Sequence, residues 1–462
     1  MTVPKSNPTP THRWKQTLFS LGAIAALAGG LSLVAGGAWL GIQLIVNPDA
    51  ILWLPHILPE WTEIPVDNAS APKTLDKIQN DILQQGLMAG KAMSLPSNRG
   101  TATDPDVLLP VIARRSACSV SCDRIIELRV YQTVAEEFRP TSDRSYYYLA
   151  NRIPVTGPAE SFVIAPLFNT NSTSPGSTRP LPLTAVKAFN QSTPAPGLWF
   201  NLIGDRMEGD ARVAYGQVYH YNPNRSHLSL MVQWTSTVGK SPTWEQFTGG
   251  ATAELQIDRT VGLEPHFEVY QVQPRNFLLN PIQLTSISIA EPAIDGRTYK
   301  NALLLARNGL WSPALEILET LKRENESNWT PQAQAQLDFI ALHARMTRSN
   351  ADSSWSNPSQ AALATLIDGR WEAALQLFEE NPANRPAIAT MLSSDTGRLW
   401  NRVDAELRVN LYNDAAKAWG ALLISAQQDR VKAMEWVQEQ PNNSSWANQR
   451  IMKLLAQLEA AR

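Results

Sequence analysis

Residues 309–318 read GLWSPALEIL and residues 369–378 read GRWEAALQLF, one arrangement repeated 60 residues apart. In each, a glycine (Gly309, Gly369) stands two positions before a tryptophan (Trp311, Trp371). An alanine follows (Ala314, Ala374), and a large apolar residue, Leu318 or Phe378, closes the pattern. A third version, Asn410, Tyr412, Ala415 and Trp419, begins 41 residues after the second. The spacing predicts helical hairpins. Gly or Asn ends one helix in a left-handed cap and the aromatic opens the next, while the alanine permits close approach and the large residue fills the layer. The flanking segments from Gly296 onward are helix-length and rich in Ala and Leu, so residues 297–462 are expected to form an α-helical hairpin repeat domain.

The pattern resembles the turn and second helix of tetratricopeptide-type repeats, in three degenerate copies confined to the C-terminal third. The resemblance implies a stack of hairpins with a concave surface that binds protein segments. The uneven spacing leaves a compact helical bundle as the alternative, and tryptophans at repeat positions read as core rather than contact.

Upstream, residues 105–290 change to short alternating runs separated by turns. Candidate strands are Ile126–Val134, Tyr146–Ile153, Ser161–Ala165, Leu183–Phe189, Leu198–Ile203, Ala251–Asp258, Phe267–Gln273 and Ile282–Ile289. The clearest piece is a hairpin over Val213–Thr235 around the loop NPNR (222–225). Pairing Tyr221 with Ser226 sets Tyr219 against Leu228 and Tyr215 against Val232, which makes one face apolar. The other face, with His220 and His227, suits partial exposure. An antiparallel β-sandwich of jelly-roll-like form is expected, giving a multidomain α+β chain.

Residues 47–104 read as an interfacial collar followed by a connector holding one helix over about Thr74–Met93, with Leu75, Ile78, Ile82, Leu87 and Met88 near helical period. Residues 18–46 contain only Ser20, Ser32 and Gln43 as polar members and no charge, which predicts a transmembrane helix or, in a shorter reading, a cleaved signal segment. Ala26 with Gly30 and Gly37 with Gly41 are small residues four apart, a spacing that suits helix pairing in a bilayer as well as ordinary span composition. Lys5, Arg13 and Lys15 precede the span, and Asp49, Glu60, Glu63 and Asp67 follow it. This asymmetry predicts residues 1–17 inside the cytoplasm and the rest outside, at a bacterial inner or thylakoid membrane. Cys118 and Cys122, the two cysteines of the chain, are then expected to form a disulfide across a turn at Ser119–Ser121, the other readings being free thiols or a redox or metal role.

Forty Lys and Arg against 42 Asp and Glu provide no basic field for nucleic acid. No phosphate loop, nucleophile elbow, zincin motif or dinucleotide fingerprint occurs. His220 and His227, with Glu264 or Glu268, offer too few ligands to name a metal. Asp205, Glu208 and Asp210 read as turn formers. The aromatics Trp199, Phe200, Tyr219, Tyr221, Trp234, Trp244 and Phe247 could instead make a sugar-stacking platform. The expectation is therefore a membrane-anchored extracytoplasmic scaffold or assembly factor, not an enzyme, without cofactor, whose partners are other proteins at the membrane. The alternative is an envelope carbohydrate-binding or carbohydrate-processing protein.

Overall fold

The computed structural model describes residues 71–97, 104–114, 123–135, 139, 143–170, 176–189, 191–194, 196–250, 252–277, 279–441 and 445–462. Helix α1 (Leu75–Gln84) places Ile78 and Ile82, one turn apart, on its buried face. They pack on Val107, Leu109, Val111, Tyr131 and Tyr147. These belong to a first sheet of β1 (Met88–Ala89), β2 (Met93–Leu95), β3 (Asp106–Arg114), β4 (Asp123–Thr133) and β5 (Tyr147–Pro154). The helix is shorter than its periodicity suggests because Gly86 turns the chain at φ 74°, after which β1 and β2 pair with β3.

The other face of this sheet, with Leu95, Leu108, Leu128 and Val130, meets Phe200, Leu202, Val213, Tyr215 and Tyr219 of a second sheet. That sheet follows the short helix α2 (Glu160–Ile164) and runs β6 (Ala185–Ala188), β7 (Leu198–Glu208), β8 (Ala211–Asn222), β9 (His227–Ser236). Ser161–Ala165 is thus helical rather than a strand; the neighbours Val163 and Ile164 are both buried, which alternation would not allow. A third sheet, β10 (Thr243–Glu245), β11 (Glu254–Asp258), β12 (Phe267–Pro274) and β13 (Ile282–Ser286), packs against the far face of the second. Between them lie Trp199, Ala214, Val218, Trp234, Trp244, Leu255 and Ile257.

The two-sheet jelly-roll-like sandwich is therefore corrected to three stacked antiparallel sheets. Strand β8 shows why, since it is buried from Val213 to Asn222 on both of its faces. The expected hairpin register is also two residues off. Asn222 pairs with His227, Tyr221 with Leu228 and Tyr219 with Leu230, before a bulge sets Val218 opposite Val232. Ser226, at φ 47°, adopts the left-handed turn conformation that ends the loop instead of joining the ladder.

The outer face of the third sheet carries Phe267 and Val269 into the core of the helical layer. That layer comprises α3 (Arg297–Arg307), α4 (Trp311–Glu324), α5 (Pro331–Ala351), α6 (Pro358–Ile367), α7 (Trp371–Glu380), α8 (Arg385–Ser393), α9 (Arg398–Val409), α10 (Asp414–Gln427), α11 (Arg430–Glu439) and α12 (Ser445–Glu459). Sheets and helices beyond Pro72 form one compact unit. Helix α9 packs on α3, and α10 is surrounded by α7, α8, α9, α11 and α12. Ten residues of α10, including Trp419 and Lys417, are buried. A central helix fills the space that a concave stack would leave open.

Residues 18–46, with Ala26, Gly30, Gly37 and Gly41, lie outside the described residues. Among the described residues no helix is long and apolar enough to cross a membrane. The longest, α5, carries Asp338, His343, Arg345 and Arg348 along its length. The expected single-pass anchor is set aside, and with it the extracytoplasmic placement at an inner or thylakoid membrane. Cys118 and Cys122 also lie outside the described residues, and no disulfide occurs among the described ones. At the ends of β3 and β4 that flank the cysteines, Arg114 pairs with Asp123, and their side chains form an ion pair at 2.8 Å. The expected disulfide is set aside too.

Candidate functional site

The three hairpin turns behave differently. Gly309 and Gly369 both stand at φ 80° and begin helices whose first residues, Trp311 and Trp371, are buried. Ala314 and Ala374 are fully enclosed. At the third turn Asn410 is extended at φ −129°, not left-handed. Its side chain instead accepts from the Tyr412 N–H at 3.2 Å, and Tyr412 is 72% exposed. Ala415 is half-buried while Ala416 is enclosed, and Asn413 caps α10 two positions later than the pattern requires. Trp419 still reaches the core, where its Nε1–H donates to the Trp371 carbonyl at 3.0 Å.

The residues considered for chemistry do not converge. His220 is buried and bonds the Pro196 carbonyl through Nε2 at 2.9 Å, and burial holds its pKa below the ordinary value. His227 lies beside Asn151, with its Nδ1 3.2 Å from the amide nitrogen. Among the described residues no group of three His, Cys, Asp or Glu side chains is placed to hold a metal ion. Asp205 pairs with Arg212, and Glu208 with Arg206, around the β7–β8 turn. Trp199, Phe200, Tyr219, Tyr221, Trp234 and Trp244 are all core residues, which removes the exposed aromatic row that sugar stacking needs.

The side chains that do converge line a cleft of about 400 Å³ where the third sheet meets the helical layer. Arg259 comes from the turn after β11, Arg307 from the end of α3, and Arg398 and Arg402 from one face of α9, one turn apart. Gly309 forms part of the wall. A Cβ there would stand 2.6 Å from Arg402 Nη2, so the bare turn lets the guanidinium lie against it. Arg402, with only 4% of its side chain exposed, pairs with Glu264. Arg259 pairs with Glu268. Both keep a buried Nε–H with no hydrogen-bond partner. Arg307 donates to the Leu303 and Ala290 carbonyls and, like Arg398, has no carboxylate partner among the described residues.

Trp311 forms a further part of the wall, and its indole stacks on His343 with ring centres 4.0 Å apart. Beside this cleft a second one of about 370 Å³ runs between the ends of β12 and β13 and Phe339, and His266 and Arg307 line both. The repeat motif contains Gly309 and Trp311 but nothing in it points to the arginines. Arg398 and Arg402 at helical spacing were the one local signal. Arg259 and Arg307 join them only through the packing of sheet on helices. Comparison with known proteins finds no matching family model, curated protein or solved structure.

Proposed function

We propose that the protein is a non-enzymatic binding protein, a scaffold or assembly factor that holds a segment of a partner protein in the seam between the third sheet and the helical layer. One observation carries this reading. The two clefts adjoin at His266 and Arg307, so the seam presents a basic cleft at Arg398 and Arg402 next to one with an apolar wall at Ile287, Ile289 and Phe339. Such a seam suits a chain segment that presents an apolar side chain next to an acidic one.

Removing residues 297–462 is a poor test, because it uncovers Phe267 and Val269 and so alters the sheet as well. A photo-reactive residue introduced at exposed Ser288, within the second cleft, leaves the fold in place. It should give discrete adducts with polypeptides, while the same residue at exposed Met207, on β7, should not. Equal labelling from both positions would remove the seam from the binding surface.

A further inference from the structure

Four guanidinium groups line the basic cleft, and Glu264 is the one carboxylate among its lining residues. Glu264 is engaged by Arg402, and Arg259 is engaged by Glu268 just outside. Two positive charges, on Arg307 and Arg398, are left without a partner of opposite sign among the described residues. Like charges gathered in a partly enclosed space repel, and the chain as a whole, at net charge −2, supplies no general excess of base that would place them there by chance of composition. The Arg402 side chain is more than nine-tenths buried and still leaves its Nε–H without an acceptor. An unmade hydrogen bond on a buried charged group is costly and rare in a folded protein. The Nε–H of Arg259 is in the same condition.

We infer that this cleft is a binding site for a phosphate monoester dianion, held by Arg307 and Arg398 in a wall that Arg402 and Arg259 also line. Two negative charges match the two unbalanced cations. Guanidinium groups arriving from different elements suit the several oxygens of a tetrahedral phosphate better than the single plane of a carboxylate. The inference is independent of the scaffold reading, since a free phosphate compound and a phosphorylated residue on a partner chain satisfy the same chemistry.

The test is calorimetric titration of the full chain at low salt and pH 8, with inorganic phosphate, with a phosphoserine peptide and with acetate. Saturable binding of phosphate or the phosphopeptide, with acetate much weaker, is the expected result. Arg398→Gln should weaken binding about tenfold or more, the usual effect of losing one charge-assisted contact, and Arg307→Gln should act in the same direction. Arg398 makes no ion pair among the described residues, so Arg398→Gln should keep the wild-type circular dichroism and melting temperature, whereas Arg307→Gln also gives up bonds to the Leu303 and Ala290 carbonyls and its melting temperature is read beside its binding. Arg212→Gln, on the exposed β7–β8 turn, should bind as wild type. Tighter binding of the phosphopeptide than of phosphate assigns the group to a partner chain, and equal binding assigns it to a small phosphate compound. Absence of saturable binding by both overturns the inference. So does binding that is unchanged in Arg398→Gln and Arg307→Gln, or acetate binding as tightly as phosphate.

Discussion

The backbone N–H of Phe267 donates to Nε2 of His343 at 3.0 Å, which ties strand β12 to helix α5. The other ring nitrogen lies 2.9 Å from the Phe339 carbonyl, so Nδ1 carries the proton and Nε2 is the acceptor. The bond from Phe267 requires the neutral ring, because a protonated Nε2 has no lone pair with which to accept it.

Burial pushes the His343 pKa down to about 4 from an ordinary value near 6.5. Between these values the unfolded chain binds the proton and the folded chain does not. Stability from this group is therefore complete above about pH 6.5, falls as the pH drops towards 4, and levels off below. The loss is about 1.4 kcal/mol per pH unit across that window, roughly 3 kcal/mol in all. Urea melts between pH 7 and 4 should show the slope. His343→Gln keeps an acceptor without the titration, and its stability should lack that component.

Trp311 and Trp371 begin equivalent helices and are both buried, whereas Tyr412 stands in solvent. Alanine at either tryptophan should cost about 3 to 5 kcal/mol, the usual loss for a buried aromatic. Tyr412→Ala should fall within about 0.5 kcal/mol of wild type. Comparable losses at all three in denaturant unfolding would show that the third turn is packed like the first two.

Gly309 and Gly397 share a left-handed conformation, at φ 80° and 97°, but not their surroundings. Gly397 faces open space, while Gly309 faces Arg402. Gly397→Ala should therefore cost only the backbone strain of about 1 kcal/mol. Gly309→Ala adds a collision with the guanidinium, so its melting temperature should drop further and phosphate binding should weaken with it.

Glu254 is buried, and its carboxylate accepts from the Phe247 and Thr248 N–H groups at 3.1 and 3.0 Å, from the Thr248 hydroxyl, and from Gln271 Nε2 at 2.8 Å. Glu254→Ala leaves all of these donors without their acceptor and should cost about 3 kcal/mol. Hydrogen exchange should then quicken at Phe247 and Thr248 before it does elsewhere in the third sheet.

The sequence foreshadowed the elements more clearly than their neighbours. The strands β4, β5, β7, β8, β9 and β12 follow from alternation, and the first two hairpin turns follow from Gly309 and Gly369. The third sheet escaped notice as a separate layer. Ala214, Gly216 and His220 on β8 look like a half-exposed face, and only packing against Trp244, Leu255 and Ile257 reveals that the face is covered. The third turn misled for a local reason, since Asn413 rather than Asn410 starts the helix. The basic cleft was nearly invisible because its arginines are drawn from the turn after β11, from α3 and from α9, whose adjacency is a property of the whole fold.

The layers of this molecule stack in the order in which the chain is made: α1, the first sheet, the second, the third, then the helices. During synthesis each new layer thus emerges beside a surface that is already built and covers its open apolar face, and the last such seam closes only when the helices emerge. That seam is the outer face of β12, where Phe267 and Val269 stay uncovered until α3 to α5 leave the ribosome. A pause in translation after about residue 290 would hold this strand bare, so the seam beside the basic cleft is also a step at which a nascent chain is open to aggregation or to a chaperone.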